Sequence, residues 1–528
     1  MFSNCIRAEL IQTEKFNTKN VEDMSGMFKE CNIIKSLAID NFDTGNVKNM
    51  SHFFELCSSL TSLNVSNFNT AKVQDMSHMF QDCSSITSLN VTKFDTRNVL
   101  DTSCMFSRLS KVWQLNLTNF DTSKVTNTSR MFEEMTTLRD LMNMKNFDTS
   151  NVKDMSYMFK SLSNIGSIDL SKFTTSKVVD MRSLFENCNS ISRLNISNFD
   201  TSQVTNISRM FSNVRKITSL DLSKFNTKKV TDMSYLFNNC SSLNSIDLSQ
   251  FHTSLVTNME YMFTRTKIKE LDVSNFDTSL VTNMRNMFDD CYSLTSLNLL
   301  GFDTSNVVDM YQMFQSCGNL ANLDLSNFIT TKVTDMACMF KYCTSLESVD
   351  LSKFDTRHVK DMYSMFDSDG HLKYVKISSN FDTSQVTDMS RMFYNCYSLT
   401  SINLNSFKGE KVLYLNEMFY KCNKLLDVDL SNFSPESAIN LNSMFKECNF
   451  LQSIKLNKFN TKEAEDMAEM FYGCNDLEEL NLKAFDTKYV RDMNSMFSGC
   501  RKLKTLDLSS FNTPNLLNMK YLFIDARE

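Results

Sequence analysis

The chain has 528 residues, of which 42% are hydrophobic and 22% are charged, and its formal net charge is −6. A negative chain without clustered Lys or Arg argues against a nucleic-acid-binding protein, because neutralising phosphates requires a basic surface. No apolar run approaches the roughly 18 residues that a membrane-spanning helix requires. Only two prolines and nine glycines occur, so no linker divides the sequence, and we predict one continuous domain over residues 1–528.

A 26-residue repeat fills the sequence. The unit that starts at Phe225 reads FNTKKVTDMSYLFNNCSSLNSIDLSQ, and equivalent phenylalanines open 20 units from Phe16 to Phe511. A constant period of this length is typical of a solenoid, in which each coil buries its apolar face against its neighbours. We therefore predict about 20 coils, with partial repeats at residues 1–15 and 511–528. Because Met1–Cys5 already matches the MFxxC part of the unit, we expect the sequence to be a piece of a longer polypeptide.

Each unit combines two apolar periodicities. Leu243, Ile246 and Leu248 alternate with polar residues, which predicts a short half-buried strand that pairs in parallel with the next coil. Apolar residues over 233–240 follow i, i+3, i+4 and i+7 spacing, which predicts a short helix capped by Asp232. The FDTS run between them suits a turn. The fold class predicted is an α/β repeat solenoid, a curved superhelix with one parallel strand and one helical segment per coil.

Two columns of phenylalanine and one of cysteine are expected to fill the interior. In four repeats the cysteine position holds Leu109, Met135, Leu162 or Val214, which favours buried free thiols, with a disulfide ladder and a metal site as alternatives. The five histidines are scattered and are predicted to lie on the surface. No catalytic motif or cofactor-binding motif occurs in its required context, so we predict a protein that is not an enzyme, with no cofactor and no metal site.

A polar column lies between the two inner aliphatic residues of the strands, and we call it the strand-end column. In a parallel sheet its members form a ladder on one exposed face, where the neighbours Asp221, Asp247 and Asp272 repel unless they are solvated or bridged by a cation. A hydrated face, a partner-binding face and a cation site are the alternatives. Lys376 and Lys455 interrupt the column. The candidate binding residues are Asn64, Asn90, Asn116, Asp169, Asn195, Asp221, Asp247, Asp272, Asn298, Asp324, Asp350, Asn403, Asp429, Asn481 and Asp507.

The repeat resembles a known family. Its strand part fits the leucine-rich-repeat pattern CxxLxxLxL at Cys240, Leu243, Ile246 and Leu248. Phe251 stands where that pattern usually has Asn or Cys. The full unit, FDTSxVTDMSxMFxxCxSLTSLDLS, is similar to the BspA-like leucine-rich-repeat surface proteins over essentially the whole chain. Many of those proteins have MFxGC, whereas here only Cys474 and Cys500 follow a glycine.

The resemblance implies a curved leucine-rich-repeat-like solenoid without catalytic residues. It also implies that the protein is exposed at the cell surface or secreted, and that it binds host or neighbouring-cell molecules. We therefore predict a non-enzymatic adhesion protein whose strand-end column contacts a protein or a glycan, but no nucleic acid. The alternative is a cytoplasmic scaffold of the same fold for protein–protein interaction.

Overall fold

The computed structural model describes residues 2–142, 144 and 147–526. They form two compact units, Met1–Val256 and Thr257–Glu528, which are described separately below. In the first unit, strand β1 (Gln114–Asn116) pairs with β2 (Asp140–Met142), and β3 (Ser167–Asp169) pairs with β4 (Arg193–Asn195).

The second unit contains eight strands among its described residues. Two two-stranded sheets come first, and a four-stranded sheet follows in the order β12-β11-β10-β9. The strands are β5 (Glu270–Asp272) with β6 (Ser296–Asn298), β7 (Ser348–Asp350) with β8 (Tyr374–Lys376), and then β9 (Asp427–Asp429), β10 (Ser453–Lys455), β11 (Glu479–Leu480) and β12 (Thr505–Leu506).

The predicted parallel pairing in register with the repeat is confirmed. Leu115 pairs with Leu141, and Ile168 pairs with Leu194, so each residue lies beside its equivalent in the next coil. The strands are only two or three residues long, and residues 243–248 of the representative unit are extended without forming a strand. The prediction of one strand in every coil is therefore correct only for part of the coils.

The predicted helical segment is wrong, because the described residues contain no α-helix. In the coil after Met50, the His52 N–H donates to the Ser77 carbonyl at 2.8 Å and the Phe54 N–H donates to the Met79 carbonyl at 2.9 Å. These amides bond to the next coil instead of to the carbonyl four residues earlier, as an α-helix requires. The segment is a pair of consecutive tight turns that places apolar residues at the same spacing as a helix.

Two positions of each double turn have a positive φ, which also excludes a helix. His52 has φ 58° and Leu56 has φ 60°, and the same two positions repeat along the chain. Glycine holds such a position only at Gly26, Gly473 and Gly499. None of the other described positive-φ residues is Val, Ile or Thr, which fits the steric cost of a branched Cβ in the left-handed region.

The residue predicted to cap a helix makes the capping bond without a helix. Asp232 Oδ1 accepts the Ser234 N–H at 2.9 Å, as an N-cap residue would. The backbone at this position also pairs in parallel from coil to coil, as in Asp23 with Asn49 and Asn49 with Asp75. We call this set of residues, from Asp23 to Asn518, the bridge column. Its Asp and Asn side chains begin the double turn.

Stacked phenylalanines fill the interior, as predicted. The rings of Phe54 and Phe80 lie 5.7 Å apart, and those of Phe211 and Phe237 lie 5.8 Å apart at an angle of 1°. Both columns are buried away from the ends of the chain. Since each buried aromatic ring removes a large apolar area from water, these columns supply a major part of the hydrophobic stabilisation.

The cysteine column is buried beside the phenylalanines. All the cysteines are free thiols, and Cys83 Sγ donates a hydrogen bond to the Phe54 carbonyl at 3.1 Å. Burial raises the pKa of Cys240 to about 12. The predicted burial is confirmed for every member except Cys5, which is half-buried.

The threonine that follows each opening phenylalanine joins neighbouring coils. Thr201 Oγ1 donates to the Asn226 carbonyl at 3.0 Å and accepts the Asn226 N–H at 2.7 Å. Thr201 is only 1% exposed. The sequence predicts a turn residue that bonds to its own backbone, but the hydroxyl instead bonds to the backbone of the next coil. This explains why 18 of 20 units have threonine here. At one exception, Gly409, a Cβ would lie 2.9 Å from the Ser434 carbonyl carbon.

Replacing the hydroxyl of Thr201 should destabilise the first unit. Thr201→Val leaves the N–H and carbonyl of the half-buried Asn226 without this partner, and we expect a loss of about 1–3 kcal/mol in the free energy of unfolding. Thr201→Ser keeps the hydroxyl and should cost less. Urea denaturation of the two variants measures the difference, and equal stability of Thr201→Val and the native chain would contradict the assigned hydrogen bonds.

Adding a side chain at Gly473 should also destabilise the fold. Its φ is +72°, and a Cβ there would make only ordinary contacts, the nearest with Glu447 at 3.6 Å. Gly473→Ala should therefore lower the free energy of unfolding by about 1 kcal/mol through backbone strain alone. Gly166→Ala is the control, because Gly166 is not among the positive-φ glycines and has open space around it. Thermal unfolding of both variants tests this, and an equal effect would argue against a left-handed turn at Gly473.

Candidate functional site

The strand-end column lies where it was predicted, at or directly after the end of each strand segment. Its predicted members are exposed, except that Asn116 and Asp429 are half-buried. The pairing brings Asp169 beside Asn195 in the first unit and Asp272 beside Asn298 in the second. The expected ladder of polar residues on one face is therefore present wherever adjacent coils form strands.

Each of these side chains folds back onto its own backbone. Asp247 Oδ1 accepts the Ser249 N–H at 2.9 Å, and Asp221 Oδ1 accepts the N–H of Ser223 at 3.1 Å and its hydroxyl at 2.6 Å. Such turns explain why Asp and Asn predominate in the column, since both side chains readily form them.

The hydrogen bonds from serine also lower the pKa of both the Asp221 and the Asp247 carboxyl groups. Hydrogen bonding from serine also lowers the pKa of Asp272. Mutual repulsion would raise these pKa values, so each carboxylate is stabilised by its own turn and by water.

Two lysines balance the charge of the strand-end column in the second unit. Lys376 Nζ lies 2.7 Å from Asp350 Oδ2 and lowers the pKa of that carboxyl to about 2. Lys455 Nζ lies 3.0 Å from Asp429 Oδ2 and, together with hydrogen bonds from Ser431, lowers the pKa of Asp429 to about 2. The lysines that interrupt the sequence pattern therefore pair with the preceding member of the column.

Grooves follow the strand-end column of the first unit. One groove of about 670 Å³ includes Arg139 and Asp169, and an adjoining groove of about 470 Å³ includes Asp169, Arg193 and Asp221. The two grooves thus share the predicted residue Asp169, and both combine carboxylate with guanidinium groups.

A third groove, of about 330 Å³, is lined by Asn90, Asn116 and Trp113. Trp113 is 56% exposed. Sequence reasoning missed the importance of Arg139, Arg193 and Trp113. Each departs from the small polar residue usual at its position of the repeat, which was the available signal.

A pair of histidines was also missed. His52 and His78 lie one period apart, and their rings stack at 4.4 Å. His52 Nδ1 lies 2.7 Å from Glu55 Oε2, so the interpretation of the five histidines as scattered residues without a carboxylate partner is wrong for these two. Both histidines occupy the same position of the repeat in two adjacent units, and this could have predicted the pair. The sequence analysis instead searched for metal-ligand spacing within a single unit.

The ionised carboxylates that are destabilised, as shown by a raised pKa, lie in the bridge column and not in the strand-end column. Burial, together with the neighbouring carboxylates of Asp309 and Asp361, raises the pKa of Asp335 to about 6, although the hydrogen bond from the Ala337 N–H and Arg285 at 4.0 Å oppose the shift. Burial likewise raises the pKa of Asp361. The sequence predicted repulsion between exposed aspartates of the strand-end column. The structure shows it between half-buried aspartates of the bridge column.

Asp335→Asn should stabilise the second unit near pH 7. Asparagine can accept the Ala337 N–H as Asp335 Oδ1 does at 3.0 Å, and Asn holds this position in other coils. Because the folded-state pKa is about 6, above the unfolded value of about 4, the cost of the charge is present above pH 6 and disappears as the pH falls below about 4. We expect a gain of about 1–2 kcal/mol at pH 7.

Urea denaturation at pH 7 and at pH 3.5 provides the test. The matched control is Asp75→Asn, which lies at the same position with the neutral Asn49 on one side and Asp101 on the other. Because it has one carboxylate neighbour instead of two, it should give a smaller gain. An equal gain from Asp335→Asn at both pH values would contradict the assignment of the cost to the ionised carboxylate.

The part of the chain that the structure describes has no helix with the length and apolar character of a membrane span. Among curated proteins, no match was found.

Many solved chains are similar, 195 in all. A leucine-rich repeat protein from Bacteroides ovatus is 15% identical, with 90% of this chain and 84% of that chain covered and a TM-score of 0.27. A leucine rich cell surface protein from Faecalibacterium prausnitzii is 14% identical, with 70% and 77% covered and a TM-score of 0.27. A leucine-rich repeat protein from Eubacterium ventriosum is 13% identical, with 70% and 90% covered and a TM-score of 0.30.

One family model matches nearly the whole length of the chain, and its description is "Mycoplasma protein of unknown function, DUF285". Overlapping matches span residues 1–115, 109–218, 187–268, 264–374, 343–455, 370–479 and 439–528. The chain therefore belongs to the DUF285 family and is a BspA-like leucine-rich-repeat protein.

Proposed function

We propose that the chain is a non-enzymatic interaction protein, displayed at the cell surface or secreted, that binds a protein or a glycan through its exposed strand face. The observation that supports this most directly is the strand-end column itself. It presents the Asp or Asn side chains of most coils on a face that the fold leaves open to solvent.

The side chains of this face are held in fixed orientations. In Asp247 and Asp324, Oδ1 accepts a backbone N–H two residues later, at 2.9 Å in both cases. Both residues are exposed, so the second oxygen of each carboxylate lies at the surface in an orientation that this hydrogen bond fixes. A partner can therefore bond to an oxygen that is already positioned, and it loses less conformational entropy on binding than with a free surface side chain.

The first unit offers the better-shaped surface. Arg193 lines one groove together with the polar residues Asp169, Asn195 and Asp221, so hydrogen-bond donors and acceptors are available in the same groove. Trp113 adds an exposed aromatic ring beside Asn90 and Asn116. Aromatic rings and arginine are the residues that most often dominate binding energy at interfaces, so we place the main contact at these grooves.

A cytoplasmic scaffold of the same fold is the second candidate. Its supporting observation is that all the cysteines are free thiols, which suits a reducing compartment as well as an oxidising one. The two candidates differ in where the protein lies and not in how the strand face binds.

Localisation separates the two candidates. Intact cells of the source organism are treated with a membrane-impermeant biotin reagent and with external protease, alongside a cytosolic control protein. The proposal expects the chain to be labelled and cleaved while the control stays intact. Protection of the chain equal to that of the control would favour the cytoplasmic scaffold.

Binding is tested with the purified chain on an array of glycans and extracellular-matrix proteins. We expect Arg193→Ala and Trp113→Ala each to weaken binding to the recognised probe by roughly tenfold, because each removes a large side chain that lines a groove. Leu100→Ala is the control, since Leu100 is a comparably exposed apolar residue of the first unit, at 46%, outside these grooves. Equal effects of the three variants, or no binding to any probe, would contradict the proposal.

A further inference from the structure

We propose that His52, Glu55 and His78 form a binding site for a divalent transition-metal ion, with Zn²⁺ as the best fit. Each of the three residues offers one ligand atom, and these atoms lie within 4.8 Å of one another. The ligands come from two successive coils of the first unit, so the site exists only in the folded chain.

The distances suit a small cation after modest side-chain movement. His52 Nδ1 and Glu55 Oε2 are 2.7 Å apart, and the two imidazole rings stack at 4.4 Å with an angle of 13° between their planes. Zn²⁺ binds imidazole nitrogen and carboxylate oxygen at about 2.0–2.2 Å. Ligand atoms of a tetrahedral site therefore lie about 3–3.5 Å apart. Because the lone pairs of imidazole lie in the plane of the ring, the two stacked side chains must turn about their χ torsions for their nitrogens to converge on one ion.

The backbone holds both imidazoles at the same place in consecutive coils. His52 and His78 each have φ 58°, at the first positive-φ position of the double turn. Their N–H groups donate to the carbonyls of Ser77 at 2.8 Å and Ser103 at 2.7 Å. The two rings are thus fixed side by side by the coil spacing, so binding a metal requires no change of the backbone.

Hydrogen bonds also orient the rings. His78 Nδ1 bonds to Gln81 Oε1, and His52 Nδ1 bonds to the Glu55 carboxylate. The Gln81 acceptor fixes the tautomer of His78 and leaves its other nitrogen as a metal ligand, as in many zinc sites. Glu55 is itself a proposed ligand, so His52 gives up its bond to that carboxylate when both bind the ion. Among the described residues, Nε2 of His52 and Nε2 of His78 have no hydrogen-bond partner.

Lys29 is expected to weaken metal binding at this site, because it competes for the Glu55 carboxylate. Its Nζ lies 2.7 Å from Glu55 Oε2, and Glu55 is only 9% exposed. A metal ion must share this carboxylate with the ammonium group or displace it. We therefore expect binding in the micromolar range, weaker than that of a closed structural zinc site with four protein ligands.

The test uses the full chain after treatment with a chelator. Isothermal titration with ZnCl₂, and Co²⁺ absorption as a spectroscopic readout of the ligand set, are measured for the native chain and for His52→Gln, His78→Gln and His252→Gln. His252 is the matched control, because it is an exposed histidine of the first unit outside the cluster. We expect one Zn²⁺ per native chain and a loss of roughly tenfold or more in affinity for the two cluster variants.

The control variant should bind like the native chain. Thermal unfolding without metal confirms that the variants fold, and added Zn²⁺ should raise the Tm of the native chain and of His252→Gln but not that of His78→Gln. If a histidine variant does not fold, Glu55→Gln replaces it, with the same expectation. Absence of stoichiometric binding to the native chain, or binding that persists in the cluster variants and is abolished by thiol alkylation, would overturn the proposal.

Discussion

The structure depends on backbone hydrogen bonds between residues that lie one repeat apart. Alternate amides of the double turn donate to the next coil, and so does the buried threonine hydroxyl after each strand segment. Beside the bridge column the amides donate in both directions, as the Met24 N–H does to Asn49 in the next coil and the Lys48 N–H does to Glu22 in the preceding one. Since every coil satisfies its buried backbone groups through its neighbours, equivalent side chains must lie above one another. The stacked phenylalanines, the thiols and the polar strand-end column are consequences of this constraint.

The sequence predicted the period, the interior and the exposed face correctly because stacking preserves the pattern of each unit. It could not distinguish a helix from a double turn, because residues 233–240 have the apolar spacing of both. The decisive feature is a positive φ at two positions, and glycine marks it only at Gly26, Gly473 and Gly499. The lack of β-branched residues at these positions was a weaker signal, visible only after the units are aligned.

The candidate sites show the same limit. The strand-end column was predictable because one unit shows its alternation, but its fixed orientation comes from turns such as that of Asp247 with Ser249. His52 and His78 had to be compared across units, and Arg193 and Trp113 are departures from the pattern. Asp369 is another departure, because its carboxyl group is buried in the cysteine column. Its oxygens have no hydrogen-bond partner in the described part of the chain. Burial raises the pKa of Asp369 well above its usual value.

The central claim is that the amides of the double turn bond to the next coil and not within a helix. Far-ultraviolet circular dichroism of the full chain tests it most directly. A helix in place of the double turn would include about a third of the residues of each repeat, such as 233–240, and would dominate the spectrum. The structure predicts a spectrum without the paired minima of an α-helix. A clear helical signal that disappears cooperatively on unfolding would contradict the hydrogen-bonding scheme on which the fold and its binding face depend.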